Sequence, residues 1–350
     1  MKKIFYAASL LFIISSCNKD AGSFSVLSET STFEQKATFA ARKLDVLFVV
    51  DNSGSMATSQ TNLVNNFSSF IDRFISKGYD FKIAITTTEA YAFPQFGLGS
   101  AAKTKFRTGS NAVYVIDQSN YDLTQASERT RLKNDFTLNA LVGTGGSGDE
   151  RSLSSFKEAL NFTDNAGFHR ADAFLSVVII SDEEDFSQSS ASTNETYTNP
   201  LIYPVSDYNT FLQTFTQGQP TTDYSVSSIT VIDDACRVSL GGAQKISNRV
   251  LQLVDLTGGT KNSICAPFDT SLDNISAKIE SQNVAEFVLP KAALVSSIRL
   301  VVDGNLIPQN NQEGWSYTAA TRTVKIHGSI YKPKNGSLIK LNYDPDLNSL

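Results

Sequence analysis

The segment LDVLFVVDNSGSM, Leu44 to Met56, constrains the fold more than any other part of the chain. Its first seven residues, apolar except for Asp45, contain no Gly or Pro and read as a strand buried on both faces, the kind found in the middle of a parallel sheet. The strand runs directly into Asp51, and Ser53 and Ser55 come next on a turn containing Gly54. In open α/β sheets, ligands collect in the crevice beyond the carboxyl ends of the strands. Asp51, Ser53 and Ser55 would therefore offer hard oxygen atoms there, suited to Mg²⁺, Mn²⁺ or Ca²⁺. The competing reading is a strand followed by an N-capping aspartate or serine that binds nothing.

The flanking pattern supports an α/β fold. Leu63, Val64, Phe67, Phe70, Ile71, Phe74 and Ile75 keep helical spacing up to Gly78. Phe81 to Thr88 is the next predicted strand and Val113 to Ile116 a short third. Leu153, Phe156, Ala159 and Leu160 mark a second helix, Phe174 to Ser181 another buried strand, and Val226 to Ile232 a fifth. Further helices carry Ile246, Val250, Leu251 and Val254, then Leu272, Ile275 and Ile279. Strands alternating with helices predict a doubly wound, mainly parallel sheet with flanking helices.

The Asp51-x-Ser53-x-Ser55 segment and the residues after it resemble von Willebrand factor type A (VWA) domains with their metal-ion-dependent adhesion site, in particular those of bacterial VWA lipoproteins. The resemblance covers roughly residues 43 to 281 and implies a Rossmann-like VWA fold. It also implies a bound divalent cation, Mg²⁺ first and Ca²⁺ or Mn²⁺ as alternatives, that holds a carboxylate of a protein partner. The family's second aspartate falls at Asp182, where the strand FLSVVIIS ends in SDEEDFS. Glu183, Glu184 and Asp185, next in line, read as a solvated acidic loop. The chain departs from the family pattern at the position of a threonine. Between Val142 and Leu153 stand Thr144, Ser147 and Glu150, and any of the three would complete the site. Glu150 would make it more acidic and more tolerant of Ca²⁺; its structural alternative is a first-turn glutamate favourable to a helix dipole. No Gly-Lys-Ser/Thr comes after the glycines of this loop, so nucleotide binding has no support.

The first residues, MKKIFYAASLLFIISSC, combine Lys2 and Lys3, a short apolar stretch and small residues before Cys17. This order predicts a signal peptide over residues 1–16. Ile14-Ser15-Ser16-Cys17 resembles a bacterial lipobox, which implies a lipidated Cys17 and attachment to the bacterial membrane, the outer membrane first. Residues 17–41 are polar and without apolar period, and read as a flexible tether. Losing Lys2 and Lys3 shifts the formal net charge by two, from −5 to −7. Without basic runs, nucleic acid is not an expected partner. Cys236 and Cys265 are the remaining cysteines, and in an exported chain they are expected to pair.

The VWA domain is expected over residues 42–282. From residue 283 to 350 the pattern changes to short alternating β-branched segments, with Asp303-Gly304 and Asn335-Gly336 as hairpin signals. This predicts a small all-β, sandwich-like domain in which Trp315 is a core residue. Two long stretches, Ala90 to Asn111 and Glu184 to Ser225, connect strand ends and should border the metal face, where they are candidates for partner selectivity. The chain has only two histidines, His169 and His327, and no Ser-His-Asp, Cys-His or His-Glu-x-x-His arrangement, so a non-enzymatic binding protein is expected over a metal-dependent hydrolase. A structural or assembly lipoprotein of the envelope with a vestigial metal site is the alternative.

Overall fold

The computed structural model describes residues 43–346, except 172, 243, 283, 284, 328, 329, 332, 334 and 335. The predicted signal peptide, Cys17, the tether and Asn335 of the second hairpin signal lie outside the described residues. The chain forms β1 (Lys43–Val50), α1 (Ala57–Lys77), β2 (Phe81–Thr87), α2 (Ala92–Phe96), β3 (Val115–Asp117), α3 (Ala126–Ala140), α4 (Ser152–Asn161) and β4 (Ala173–Ile180). Next come α5 (Val205–Thr216), β5 (Tyr224–Thr230), α6 (Asp234–Ser239), α7 (Asn248–Thr257), β6 (Lys261–Ser263) and α8 (Phe268–Gln282). Strands β1 to β6 make one six-stranded sheet in the order β3-β2-β1-β4-β5-β6, parallel throughout except for β3.

Alternation along the strands builds the two halves of the core. Leu44, Val46, Phe48 and Val50 of β1 face one layer with α1, α3 and α8, whose Phe67, Phe136 and Leu272 are buried there. Leu47 and Val49 point the other way, onto Phe156 of α4, Leu212 of α5 and Val250 of α7. β4 divides in the same register, with Phe174, Val178 and Ile180 on the first face and Leu175, Val177 and Ile179 on the second. A sheet covered on both faces needs strands that are apolar on both, and this is why the runs are continuous. Asp45 is the exception within β1. It is fully buried, and Arg170 and His169 hold its carboxylate.

Several elements depart from the sequence expectation. The apolar period does not announce α3, because Asp135 and Asn139 share its buried face with Leu132 and Phe136 and blur the pattern. Tyr208, Phe211, Leu212 and Phe215 keep helical spacing after Ser206 and Asp207, which predicts an N-cap region there; α5 instead begins at Val205, with Ser206 and Asp207 in its first turn. The third strand runs antiparallel to β2.

After α8 come β7 (Glu286–Val288), β8 (Arg299–Val302), β9 (Asn305–Ile307), β10 (Gly314–Thr318), β11 (Thr323–His327) and β12 (Ile339–Asn342). They form two three-stranded antiparallel sheets, β10-β11-β7 and β12-β8-β9, around a separate apolar core that includes Leu300, Trp315, Val324 and Leu341. Asp303 and Gly304 link β8 to β9 with φ of 49° and 84°, the double left-handed conformation of a two-residue hairpin turn. Trp315 is 3% exposed and its indole N–H donates to the Ile307 carbonyl at 3.0 Å. Among the described residues no helix is long and apolar enough to cross a membrane.

Candidate metal centre

The strand order reverses between β1 and β4, the switch point at which open α/β sheets bind ligands. Asp51 succeeds β1 there, and Ser181 and Asp182 succeed β4. Asp51 is fully buried: one carboxylate oxygen accepts from the Ser53 amide at 2.7 Å and the other from the Ser181 hydroxyl at 2.7 Å. The Ser53 and Ser55 hydroxyls lie 3.1 Å apart, and Ser55 donates to Asp182 at 3.0 Å. Asp51, Ser53, Ser55 and Asp182 thus form one connected set, deep at Asp51 and open to solvent at Ser55.

The three alternatives of the glycine-rich loop fall in different places. Thr144 is exposed. The Ser147 hydroxyl accepts from the Asp149 amide at 3.0 Å, a local turn contact. Glu150 is only 7% exposed, and its Oε1 is buried without a hydrogen-bond partner. Burial, together with the charges of Asp51, Glu183 and Asp182, pushes its pKa up to about 9. Burial likewise raises Asp51, opposed by hydrogen bonds from Ser181 and Ser53, and raises Asp182 against the bond from Ser55. Glu183 is pushed up to about 7 by burial and by Asp182 and Asp51. Several carboxyls held above their ordinary range around hydroxyl oxygens, one of them with an orphaned oxygen, make a donor set that fits a hard cation. Among the described residues no three His, Cys, Asp or Glu side chains form a compact metal-ligating group; the set here depends on serine hydroxyls.

Residues without a motif of their own hold the loop in place. Gln60 donates to the carbonyls of Asp51 at 2.9 Å and Gly143 at 2.8 Å. It stands on the core face of α1 between Met56 and Leu63, and a polar residue at an apolar position is the signal the sequence offers. The Gly146 amide donates to the Asn52 carbonyl at 2.8 Å, an approach that leaves no room for a side chain at residue 146. Glu89 accepts from Asn52, Lys103 and the Ser147 amide; burial raises its pKa, but these bonds outweigh burial and leave it low. Arg151, fully buried, grips Asp149 and donates to the Gln188 and Ser190 carbonyls. Both long insertions therefore touch the loop, one through Tyr91, with Lys103 acting by way of Glu89, and the other through residues 188–190.

The acidic run is not a solvated loop. Glu184 and Asp185 are 5% and 1% exposed. Asp185 accepts from the Leu153 amide at 2.9 Å, in the first turn of α4, and from the Ser187 amide at 3.0 Å. Glu184 accepts from the Arg249 amide at the start of α7 and from the Tyr197 hydroxyl. Two helix N-termini aim at this segment, and their free amides draw the carboxylates inward. Only Glu183 stays partly exposed, at the rim.

Elsewhere, Cys236 and Cys265 form a disulfide with Cα atoms 5.6 Å apart. His169 lies at the amino ends of the strands, against Asp45 and with its ring tilted over Phe215, on an open groove of about 580 Å³ that Phe106 and Phe168 also line.

No protein-family profile and no curated protein matches the chain. Solved structures similar to it include the pilus adhesin SpaC from Lactobacillus rhamnosus GG in its open conformation, 11% identical with a TM-score of 0.38 over 87% of this chain and 39% of that one. Another is proximal thread matrix protein 1 from the mussel byssus, 12% identical with a TM-score of 0.37 over 71% of this chain and 50% of that one. The chain spans less than two thirds of the length of either. Likenesses this distant assign neither a family nor an activity.

Proposed function

We propose that this chain is a VWA-type, divalent-cation-dependent binding protein of the bacterial envelope, exported and lipid-anchored at Cys17, and that it works by binding without catalysis. The observation that carries the reading is the meeting of Asp51, Ser53, Ser55 and Asp182 at the reversal of strand order. Asp51 and Asp182 would supply charge and Ser53 and Ser55 neutral oxygens, with Glu150 in place of Thr144 or Ser147. A divalent cation bound there would act as a Lewis acid toward a carboxylate of a protein partner. The chain's own contribution is positional: Ser181 and the Ser53 amide fix both Asp51 oxygens, and Gln60 fixes the loop. The two insertions on the loop would then select the partner.

Calorimetry with MgCl₂ and CaCl₂ on the chelated protein tests the reading. Cation binding that is lost in Asp51→Ala, with the far-UV spectrum unchanged, is expected. A pull-down from envelope extracts should then retain a partner with cation and release it with chelator. No cation binding by the unaltered chain would instead favour an assembly lipoprotein with a vestigial site. Mass spectrometry of the mature chain showing an unmodified Cys17 would remove the lipid anchor.

A further inference from the structure

The groove at the amino ends of β1 and β4 lies at the opposite end of the sheet from the cation centre, and the proposed function leaves it unused. Ala173, the first residue of β4 and the register partner of Lys43, stands in its wall. Its volume of about 580 Å³ is that of a site for a small ligand. The floor is aromatic and fixed. Phe106 and Phe168 meet edge to face with ring centroids 5.0 Å apart, and both are buried. Asn165 ties the floor together: it accepts from the Phe106 amide at 2.9 Å and donates to the Thr104 and Ala159 carbonyls at 2.9 and 2.8 Å. Above this floor Phe215 is partly exposed, and the His169 ring lies 5.3 Å from it at 30°.

The rim offers polar groups that the fold does not use. The Nδ1 of His169 is committed to the buried Asp45 carboxylate at 3.2 Å, which leaves Nε2 as the available polar atom of the ring. Among the described residues the side-chain amides of Asn161 and Gln217, both on the groove, make no hydrogen bond. Gln217 is also in an unusual place. It ends α5 in the left-handed conformation at φ 53°, where α1, α2 and α7 have Gly78, Gly97 and Gly258. Glycine takes that conformation without steric cost, so the fold alone gives no reason for a glutamine. Among the described residues that line the groove there is no lysine or arginine, and Asp223 is one of them. An anionic ligand would find no counter-charge, and a wholly apolar one would strand the amides. The fitting ligand has an apolar face and a rim of groups that both donate and accept. A sugar ring has both, in its C–H faces and its hydroxyls.

We infer that this groove binds a neutral saccharide, with Phe215 under the face of a sugar ring and with Gln217, Asn161 and His169 Nε2 taking its hydroxyls. Asp45 is a positioning residue that fixes the imidazole. The inference does not rest on the cation reading.

Calorimetry and saturation-transfer NMR on the full chain test it with the neutral trisaccharides tri-N-acetylchitotriose, maltotriose and cellotriose. At least one should bind with a dissociation constant of about 1 mM or tighter, equally in chelator and in CaCl₂. Phe215→Ala should weaken that binding about tenfold. Gln217→Gly should weaken it about threefold with a thermal midpoint no lower than the parent's, because glycine relieves the left-handed backbone. That variant keeps the test decisive if Phe215→Ala unfolds. No binding of any of the three sugars, or affinity unchanged in Gln217→Gly, overturns the inference. So does benzyltrimethylammonium binding more tightly than every sugar, which would make the groove a site for an organic cation held by aromatic rings and Asp223.

Discussion

Asp182 and Asp185 stand three residues apart in one acidic run, and truncating them should have opposite consequences. Asp185 accepts from the Leu153 and Ser187 amides and from the Ser187 hydroxyl, and lies 3.6 Å from the guanidinium of Arg249. Asp185→Ala leaves two buried amides without acceptors, at about 1–3 kcal/mol each, and removes the charge facing Arg249. These terms overlap, so a loss of about 3–5 kcal/mol is expected, the range for breaking a buried charged contact. Asp182 accepts from the Ser55 hydroxyl and from a backbone amide of its own turn, with no distant helix start to satisfy, and burial already raises its pKa. In chelator, Asp182→Ala should change stability by no more than about 1 kcal/mol, in either direction. Urea unfolding followed by far-UV circular dichroism, with chelator present, measures both. Cation titration of the folded variants should show binding lost in Asp182→Ala. An Asp185→Ala loss below about 1 kcal/mol, or an equal loss in the two variants, would refute this division of the run.

Gly146→Ala would place a Cβ 2.5 Å from Asn52 Cγ and 2.6 Å from the Asn52 carbonyl oxygen, which no rotamer relieves. A loss of about 1–3 kcal/mol and weaker cation binding are expected, while Gly145→Ala, with open space around it, serves as the neutral control in the same unfolding series. For pH, burial holds Glu150 at about 9 and Glu183 and Glu184 at about 7 in the folded chain, against an ordinary value of 4.5. The folded state keeps protons that the unfolded state has released, so their contribution is complete below about 4.5 and lost as pH climbs through the folded values. Thermal midpoints in chelator should fall from about pH 5 to about pH 9, and saturating Ca²⁺ should remove most of the fall; a midpoint that rises with pH in chelator would contradict the burial argument.

The parts of the fold legible in the sequence are those decided by burial alone. β1 and β4 are covered on both faces, and nearly continuous apolar runs announce that condition; β5, equally buried, is YSVSSIT and is marked by β-branched and small residues instead. α3 is illegible because its inner face does polar work: Asp135 accepts from Asn111 and Tyr121, and Asn139 binds the backbone of Gly109 and Val113. Periodicity counts such residues as outward-facing. The acidic run misleads for a related reason, since a carboxylate that caps a distant helix looks in sequence like one that faces water. At the candidate site, the residue types at the strand ends are readable. The choice among Thr144, Ser147 and Glu150 is not, because it depends on how Gln60, Asn52 and Glu89 fold the glycine-rich loop back.

The centre also has a kinetic signature. Ser181 reaches Asp51 across 130 residues of chain, and Ser55 reaches Asp182 across 127. No short segment gathers the set by itself; β1 and β4 must first pair, with β2, β3 and four helices already looped out between them. Contacts so distant in sequence form late and slowly. A cation that binds only this completed arrangement would slow unfolding and leave the folding rate almost untouched. The chain's resistance to opening would then track the cation concentration around it, whatever the rate at which each copy first folded.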